Sequence, residues 1–333
     1  MPCGSIIIPG VIGLKQKEFA AMLGVSESTV SKALRDSNEI SLAVRERIHA
    51  EAVRLGYEKK PQNVRRRLNI LVSVPEFRSE YYGEVLGIIN TVARERGLNI
   101  FAAETNFDND WINNFFPPRY GFFDGIIIEG LSDKNDKNVS RLKRLDIPVV
   151  TINTRSDQFD DISYDIDASM LEVIERLIAS GRKRIGFVGE DNSLGREIAF
   201  RKAAGKLGTL DESLIFSSDQ RFAAAGTEGF EKLFSLPEPP DAIVCAYDYI
   251  VIGILNAAAN AGISVPEKLA LTGNDNLRAA SSYRLGITTI DQKSRDIYEK
   301  AVDILLARIN GERFEPVRIK IKSEIIVRET ALI

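Results

Sequence analysis

The sequence predicts an α/β protein that carries a small all-helical head at its N-terminus. From Asn69 onward, short apolar runs alternate with stretches of helical periodicity, which is the pattern of parallel strands covered by helices. Ahead of that point the apolar spacing is helical throughout residues 16–55. The charge divides at the same place. Residues 1–68 hold 12 Lys and Arg against 7 Asp and Glu, a balance of +5, while the remainder holds 32 against 40, a balance of −8. A basic head on an acidic body points to a nucleic-acid partner for the head.

The head is the most informative segment. Phe19, Ala20 and Leu23 share one helical face, and Val30, Ala33 and Leu34 share another, so two short amphipathic helices are expected. Gly24 between them takes a left-handed turn without steric cost, and Ser26 is placed to cap the second helix. A third helix runs from Ser41 through Val44, Ile48, Ala52 and Leu55, with Gly56 placed to end it. This is a helix-turn-helix, whose second helix enters the major groove of duplex DNA with its N-terminal part. The residues there that are not committed to the core are Glu27, Ser28 and Lys32. Glutamate accepts from cytosine, serine serves either role, and lysine donates to guanine or to phosphate. Thr29, Ser31 and Arg45 are placed for phosphate contacts, which fix position without reading sequence.

In the body, strands are expected at Ile70–Val74, Asn99–Ala103, Gly125–Glu129, Val149–Ile152, Arg184–Val188, Ala242–Ala246 and Leu269–Gly273, with helices at Tyr82–Arg96, Ala168–Ala179 and Tyr249–Ala261. Neither the phosphate-loop spacing nor the dinucleotide fingerprint interrupts them. No cofactor and no metal site is expected. The two cysteines, Cys3 and Cys245, have no metal-ligand spacing, and Cys245 lies in an apolar run as a core residue. Apolar runs stay well short of the ~20 residues that a membrane span needs. Met1–Gly13 lacks the basic start of a signal peptide, so the expected location is the cytoplasm. The single histidine, His49, falls on a head helix, and no two carboxylates are paired at a defined spacing. Catalytic residues are therefore not expected, and an enzyme is disfavoured.

The run Phe19-Ala20, Gly24-Val25-Ser26, Thr29-Val30-Ser31-Lys32-Ala33-Leu34, Arg45-Glu46-Arg47-Ile48 and Leu55-Gly56-Tyr57 resembles the head of LacI/GalR transcriptional regulators. Further segments match along the body, among them Phe123-Asp124-Gly125-Ile126, Gly181-Arg182-Lys183-Arg184-Ile185-Gly186 and Ile287-Thr288-Thr289-Ile290-Asp291-Gln292. The resemblance implies a helix-turn-helix head over 14–58, a hinge over 59–68 and an effector-binding domain over 69–333, built like a periplasmic sugar-binding protein of two doubly wound lobes. It puts the first lobe at about 69–154 and 287–312 and the second at about 155–286 and 313–333. Its hinge wedges an apolar side chain into the minor groove, here Val64 or Leu68. Arg65, Arg66 and Arg67 add phosphate contacts. A homodimer on a roughly palindromic operator is also expected, because one three-helix head makes too small a contact for high specificity.

Ligands of doubly wound sheets bind beyond the carboxyl ends of the strands. Those ends offer Phe77, Tyr81, Tyr82, Asn153, Arg196, Arg221, Tyr247, Asp248 and Asp275. By resemblance, Arg196 grips sugar hydroxyls and Asp275 accepts from them. Phe77, Tyr81 or Tyr82 supplies an aromatic surface for the apolar face of a sugar ring. Arg196 together with Arg221 admits a uronate or a sugar phosphate, unless Arg221 is a solvated surface charge. Asp248 either touches ligand or caps the helix that begins beside it, and Trp111 is either a ligand platform or a loop anchor. The expectation is a repressor or activator of carbohydrate genes switched by such an effector. A solute-binding protein is the rival that the body alone would fit.

Overall fold

The computed structural model describes residues 15–34, 37, 39–55, 57, 67–108, 122–130, 136–145, 147–154 and 157–333. Val64, Arg65, Arg66, Gly56 and Trp111 lie outside these. The chain divides into two compact units at residues 66 and 67.

In the first unit, helices α1 (Gln16–Leu23), α2 (Glu27–Ala33) and α3 (Leu42–Leu55) enclose a core of Phe19, Ala20, Val30, Ala33, Ile48, Ala52 and Tyr57. The Phe19 and Tyr57 rings stack with centroids 4.1 Å apart. Gly24 ends α1 at φ +65°, where a side chain would be strained. The hydroxyl of Ser26 then accepts from the Thr29 amide at 3.0 Å and starts α2. The short turn is held from outside as well, since Arg47 of α3 donates to the Leu23 carbonyl at 3.3 Å.

The second unit is built on two six-stranded sheets. The first holds β1 (Asn69–Val74), β2 (Asn99–Glu104), β3 (Gly125–Glu129), β4 (Val149–Ile152), β5 (Asp160–Tyr164) and β11 (Arg318–Ile321), in the order β11-β5-β4-β3-β1-β2 and all parallel. The second holds β6 (Ile185–Glu190), β7 (Ile215–Ser218), β8 (Ala242–Cys245), β9 (Ala270–Asn274), β10 (Thr288–Asp291) and β12 (Glu324–Ile326), in the order β12-β10-β9-β8-β6-β7. Only β12 among these pairs antiparallel. Helices on both faces leave the inner strands buried throughout, so they read as continuous apolar runs such as Ile126-Ile127-Ile128.

Among the described residues the helices are α4 (Glu80–Glu95), α5 (Asp136–Lys143), α6 (Ile166–Ala179), α7 (Leu194–Leu207), α8 (Ala223–Phe234), α9 (Asp248–Asn260), α10 (Arg278–Ser282) and α11 (Ser294–Ile309). Helix α11 packs on α4, β3, β4 and β5 and so belongs to the first lobe.

The lobe limits differ from the expected ones. The chain crosses between sheets after β5, after β10 and after β11. Residues 160–164 therefore belong to the first lobe, 288–291 to the second, and 318–321 to the first. Strand β5 is opaque in the sequence because it opens with two aspartates. Both are buried and both are satisfied: Asp160 accepts two bonds from Arg308 at 2.8 Å each, and Asp161 accepts from Thr151 at 2.8 Å. Among the described residues, no helix is long and apolar enough to cross a membrane.

Candidate functional site

The strand order reverses between β1 and β3 in one sheet and between β6 and β8 in the other, and ligand crevices form at such switch points. Both face a partly open cavity of about 350 Å³ between the lobes, within the usual range for a small-molecule site. Of the residues expected at the site, the fold brings Tyr81, Tyr82, Asn153, Arg196, Arg221, Tyr247 and Asp275 to its wall.

Arg196, in the first turn of α7, sets one end. Its Nη2 stands 2.9 Å from Asp275 Oδ1, and its guanidinium lies over the Tyr247 ring at 4.5 Å. Burial pushes the Asp275 carboxyl up to about 7, against the opposing pull of Arg196 and of a hydrogen bond from Gln292. Gln292 stands at a crossover and links this pair to the first lobe, because its Oε1 accepts from the Tyr81 hydroxyl at 3.3 Å. Beyond it lies Glu129, whose carboxylate accepts from Tyr298 and, at 3.2 Å, from Asn153. Burial raises the Glu129 carboxyl as well.

Arg221 sets the other end, and it is not a solvated surface charge. Its Nη2 and Nη1 reach across the cleft to Glu76 at 2.6 and 3.3 Å, and its Nε lies 2.6 Å from Glu190. Its plane rests on the Phe222 ring at 4.5 Å. The backbone around the cavity is strained: Phe107, Asn153, Phe222 and Asp275 all have positive φ, between 52° and 110° with their neighbours Asn106 and Asn276. Such residues persist only where surrounding structure over-determines them, and they cluster at ligand sites.

Two expected residues stand elsewhere. Phe77 is half exposed outside this cavity, its amide donating to Glu104 at 2.8 Å. Asp248 is fully buried below the site. One of its oxygens accepts from the Leu277 amide at 2.9 Å and the other from the Thr289 hydroxyl at 2.6 Å, so both are used in holding α9 against β10 and α10. Sequence reasoning missed Glu76, Glu129, Tyr164, Phe222, Tyr249 and Gln292. The strand-end rule would have found Glu129 and Gln292, which end or follow β3 and β10, whereas Tyr164 and Tyr249 look like ordinary core.

In the head, Glu27 and Ser28 are exposed on the first turn of α2. Lys32 is half-buried and paired with Glu39, and Arg45 is half-buried on α3. The Thr29 hydroxyl is 2.8 Å from that of Ser26. Ser31 is buried, which leaves little of its hydroxyl for the phosphate contact expected of it. Of the hinge residues, Arg67 and Leu68 are described and precede β1, while Val64, Arg65 and Arg66 are not. Among the described residues no cluster of His, Cys, Asp and Glu could hold a metal ion.

Residues 174–331 match a family model described as a periplasmic binding protein-like domain, and residues 12–48 match one described as helix-turn-helix. The HTH-type transcriptional repressor CytR of Escherichia coli is 27% identical over 324 residues, covering 94% of each chain. Among solved structures, the transcriptional regulator CelR in complex with cellobiose is 23% identical at a TM-score of 0.69, covering 96% of this chain and all of that one. The lac repressor dimer bound to operator is 20% identical at a TM-score of 0.71, covering 95% and 98%.

Proposed function

We propose that this chain, which belongs to the LacI/GalR family of DNA-binding transcriptional regulators, represses carbohydrate-utilisation genes under the control of a sugar-type effector bound between its lobes. The observation that carries this is the Arg196–Asp275 pair at the wall of a tyrosine-rich interlobe cavity. A guanidinium donates to ring hydroxyls, a carboxylate accepts from them, and aromatic faces cover the apolar side of a ring. CytR is a repressor, CelR was solved with cellobiose and the lac repressor as a dimer on operator, and these support the same reading here. A homodimer on a palindromic operator suits a head whose three short helices reach only one half-site. Closure of the lobes on ligand is the switch. The residues near the cavity serve binding, and no hydrolysis of the effector is expected.

The test is a thermal-shift screen of sugars, since a ligand selective for the folded state raises the melting temperature by linkage. It is followed by operator binding, read by fluorescence anisotropy, with and without each hit. A compound that stabilises the protein and changes operator affinity establishes the function. Specific operator binding that no stabilising sugar alters would overturn the sugar switch.

A further inference from the structure

The two guanidiniums of the cavity are already paired, and no positive charge is left over for a ligand. Two guanidiniums, Arg196 and Arg221, meet four carboxylates in or against the wall: Glu76, Glu129, Glu190 and Asp275. Arg221 spends both Nη atoms on Glu76, its Nε stands 2.6 Å from Glu190 as an ion pair without a hydrogen bond between them, and one aromatic face covers its plane. Arg196 is held by Asp275 and covered by Tyr247. Among the described residues Glu129 is met by neutral donors only, from Tyr298 and Asn153, with the Tyr81 hydroxyl 3.3 Å from both Glu129 and Gln292 and able to donate to one of them at a time. An anionic ligand would therefore have to displace a carboxylate from its arginine or sit beside an uncompensated one, in a site where water screens little. A neutral polyhydroxyl compound meets no such obstacle, because the tyrosine hydroxyls and the Asn153 and Gln292 amides donate and accept without charge.

The geometry points to an effector without negative charge, a neutral sugar or nucleoside, and to Glu76 as the residue that excludes carboxylated and phosphorylated counterparts by neutralising Arg221 across the cleft. This rests on the reading of the cavity as the effector site. It also removes uronates and sugar phosphates from the ligands that Arg196 and Arg221 suggest when the sequence is read alone.

Calorimetric titration of the full chain with matched pairs tests it: glucose with glucuronate and glucose 6-phosphate, galactose with galacturonate, ribose with ribose 5-phosphate, uridine with uridine 5′-monophosphate. Wherever binding is seen, the neutral member should bind at least about tenfold more tightly, and Glu76→Gln should narrow that ratio. An anionic member that binds the wild type better than its neutral partner, or a ratio unchanged in Glu76→Gln, overturns the proposal. Sulfate carries the charge test without any sugar. Melting curves of wild type, Glu76→Gln and Glu190→Gln should show saturable stabilisation by sulfate in the variants alone, and equal responses in all three overturn the assignment of Glu76. If no sugar or nucleoside binds, the effector reading falls while the sulfate result still decides whether Arg221 is masked.

Discussion

Arg196 Nη2 and Asp275 Oδ1 are 2.9 Å apart in the wall of the interlobe cavity, with 16% and 3% of their side chains exposed. On the proposed function each has two duties, holding its partner and meeting ligand. Asp275→Ala leaves the Arg196 guanidinium buried without its carboxylate, which typically costs about 3–5 kcal/mol, Arg196→Ala removes the cation that opposes the rise of the Asp275 carboxyl, and either change removes a ligand bond whose loss lowers effector affinity about 30-fold or more. The double variant separates the duties. It should recover part of the lost stability in denaturant titrations and none of the affinity in calorimetry. Recovery of affinity in the double variant would place the ligand elsewhere.

The Asp275 carboxyl stands at about 7, raised by burial with Glu129 adding to the rise, while Arg196 and Gln292 oppose it. Its folded value lies above that of the unfolded chain, so the stability it contributes is full below about pH 4 and is lost as pH rises through about 7. Asp275→Asn should flatten the pH dependence of the melting temperature across that window. Effector binding runs the other way, because only the ionised carboxylate accepts fully from hydroxyl donors. Wild-type affinity should strengthen between pH 6 and pH 8, and that trend should vanish in Asp275→Asn; a wild-type affinity flat over this range would remove Asp275 from the ligand.

The parts of this fold that the sequence exposes are those in which one physical rule acts alone. Phe19, Val30 and Ile48 follow helical spacing into a closed core, and Ile126–Ile128 follow burial on both sheet faces. Asp160 and Asp161 defeat pattern reading, since the first is paired with Arg308 far along the chain and the second accepts a hydrogen bond from Thr151. The site behaves in the same way. Arg196 and Asp275 stand out by type and position. The partnership of Arg221 with Glu76 does not, because it joins residues 145 apart that meet only when the lobes come together. Asp248 shows the reverse error, a polar residue at a strand end whose side chain turns inward.

Asp248 supplies both oxygens to Leu277 and Thr289, and burial raises its carboxyl well above the usual range. Asp248→Ala orphans a buried amide and a buried hydroxyl, at a cost of about 1–3 kcal/mol for each unsatisfied group. The variant should melt several degrees lower and bind effector with affinity close to wild type. A large fall in affinity with an unchanged melting curve would make Asp248 a ligand residue after all.

Helices α8 and α9 approach through a reciprocal pair of glycines. A Cβ on Gly226 would run into the Ile250 carbonyl oxygen, and a Cβ on Gly253 into that of Ala223. Backbone cannot yield as a flexible side chain does, so Gly226→Ala or Gly253→Ala must push the helices apart. Overpacking of this kind typically costs about 1–3 kcal/mol. Because Arg221 and Phe222 immediately precede α8, the displacement should also weaken the contact with Glu76. Thermal melts with wild-type stability in both variants would show that the helices separate freely.

Lys32 of α2 is tied to Glu39, an exposed pair that must open if the lysine is to reach DNA. Glu39→Gln frees the lysine beforehand and should raise operator affinity about two- to fivefold, the usual scale of an exposed pair. Lys32→Ala then distinguishes the two roles open to that residue. If Lys32 donates to a guanine edge, its loss relaxes preference at one base pair and lowers the ratio of specific to non-specific binding. If it contacts phosphate, all sequences weaken together and the slope of log affinity against log salt becomes shallower by about one. Fluorescence anisotropy on operator and scrambled duplexes across a salt series reads both quantities at once. A Glu39→Gln variant that bound operator no better than wild type, while Lys32→Ala bound as well as either, would show that the pair serves only the head's own structure.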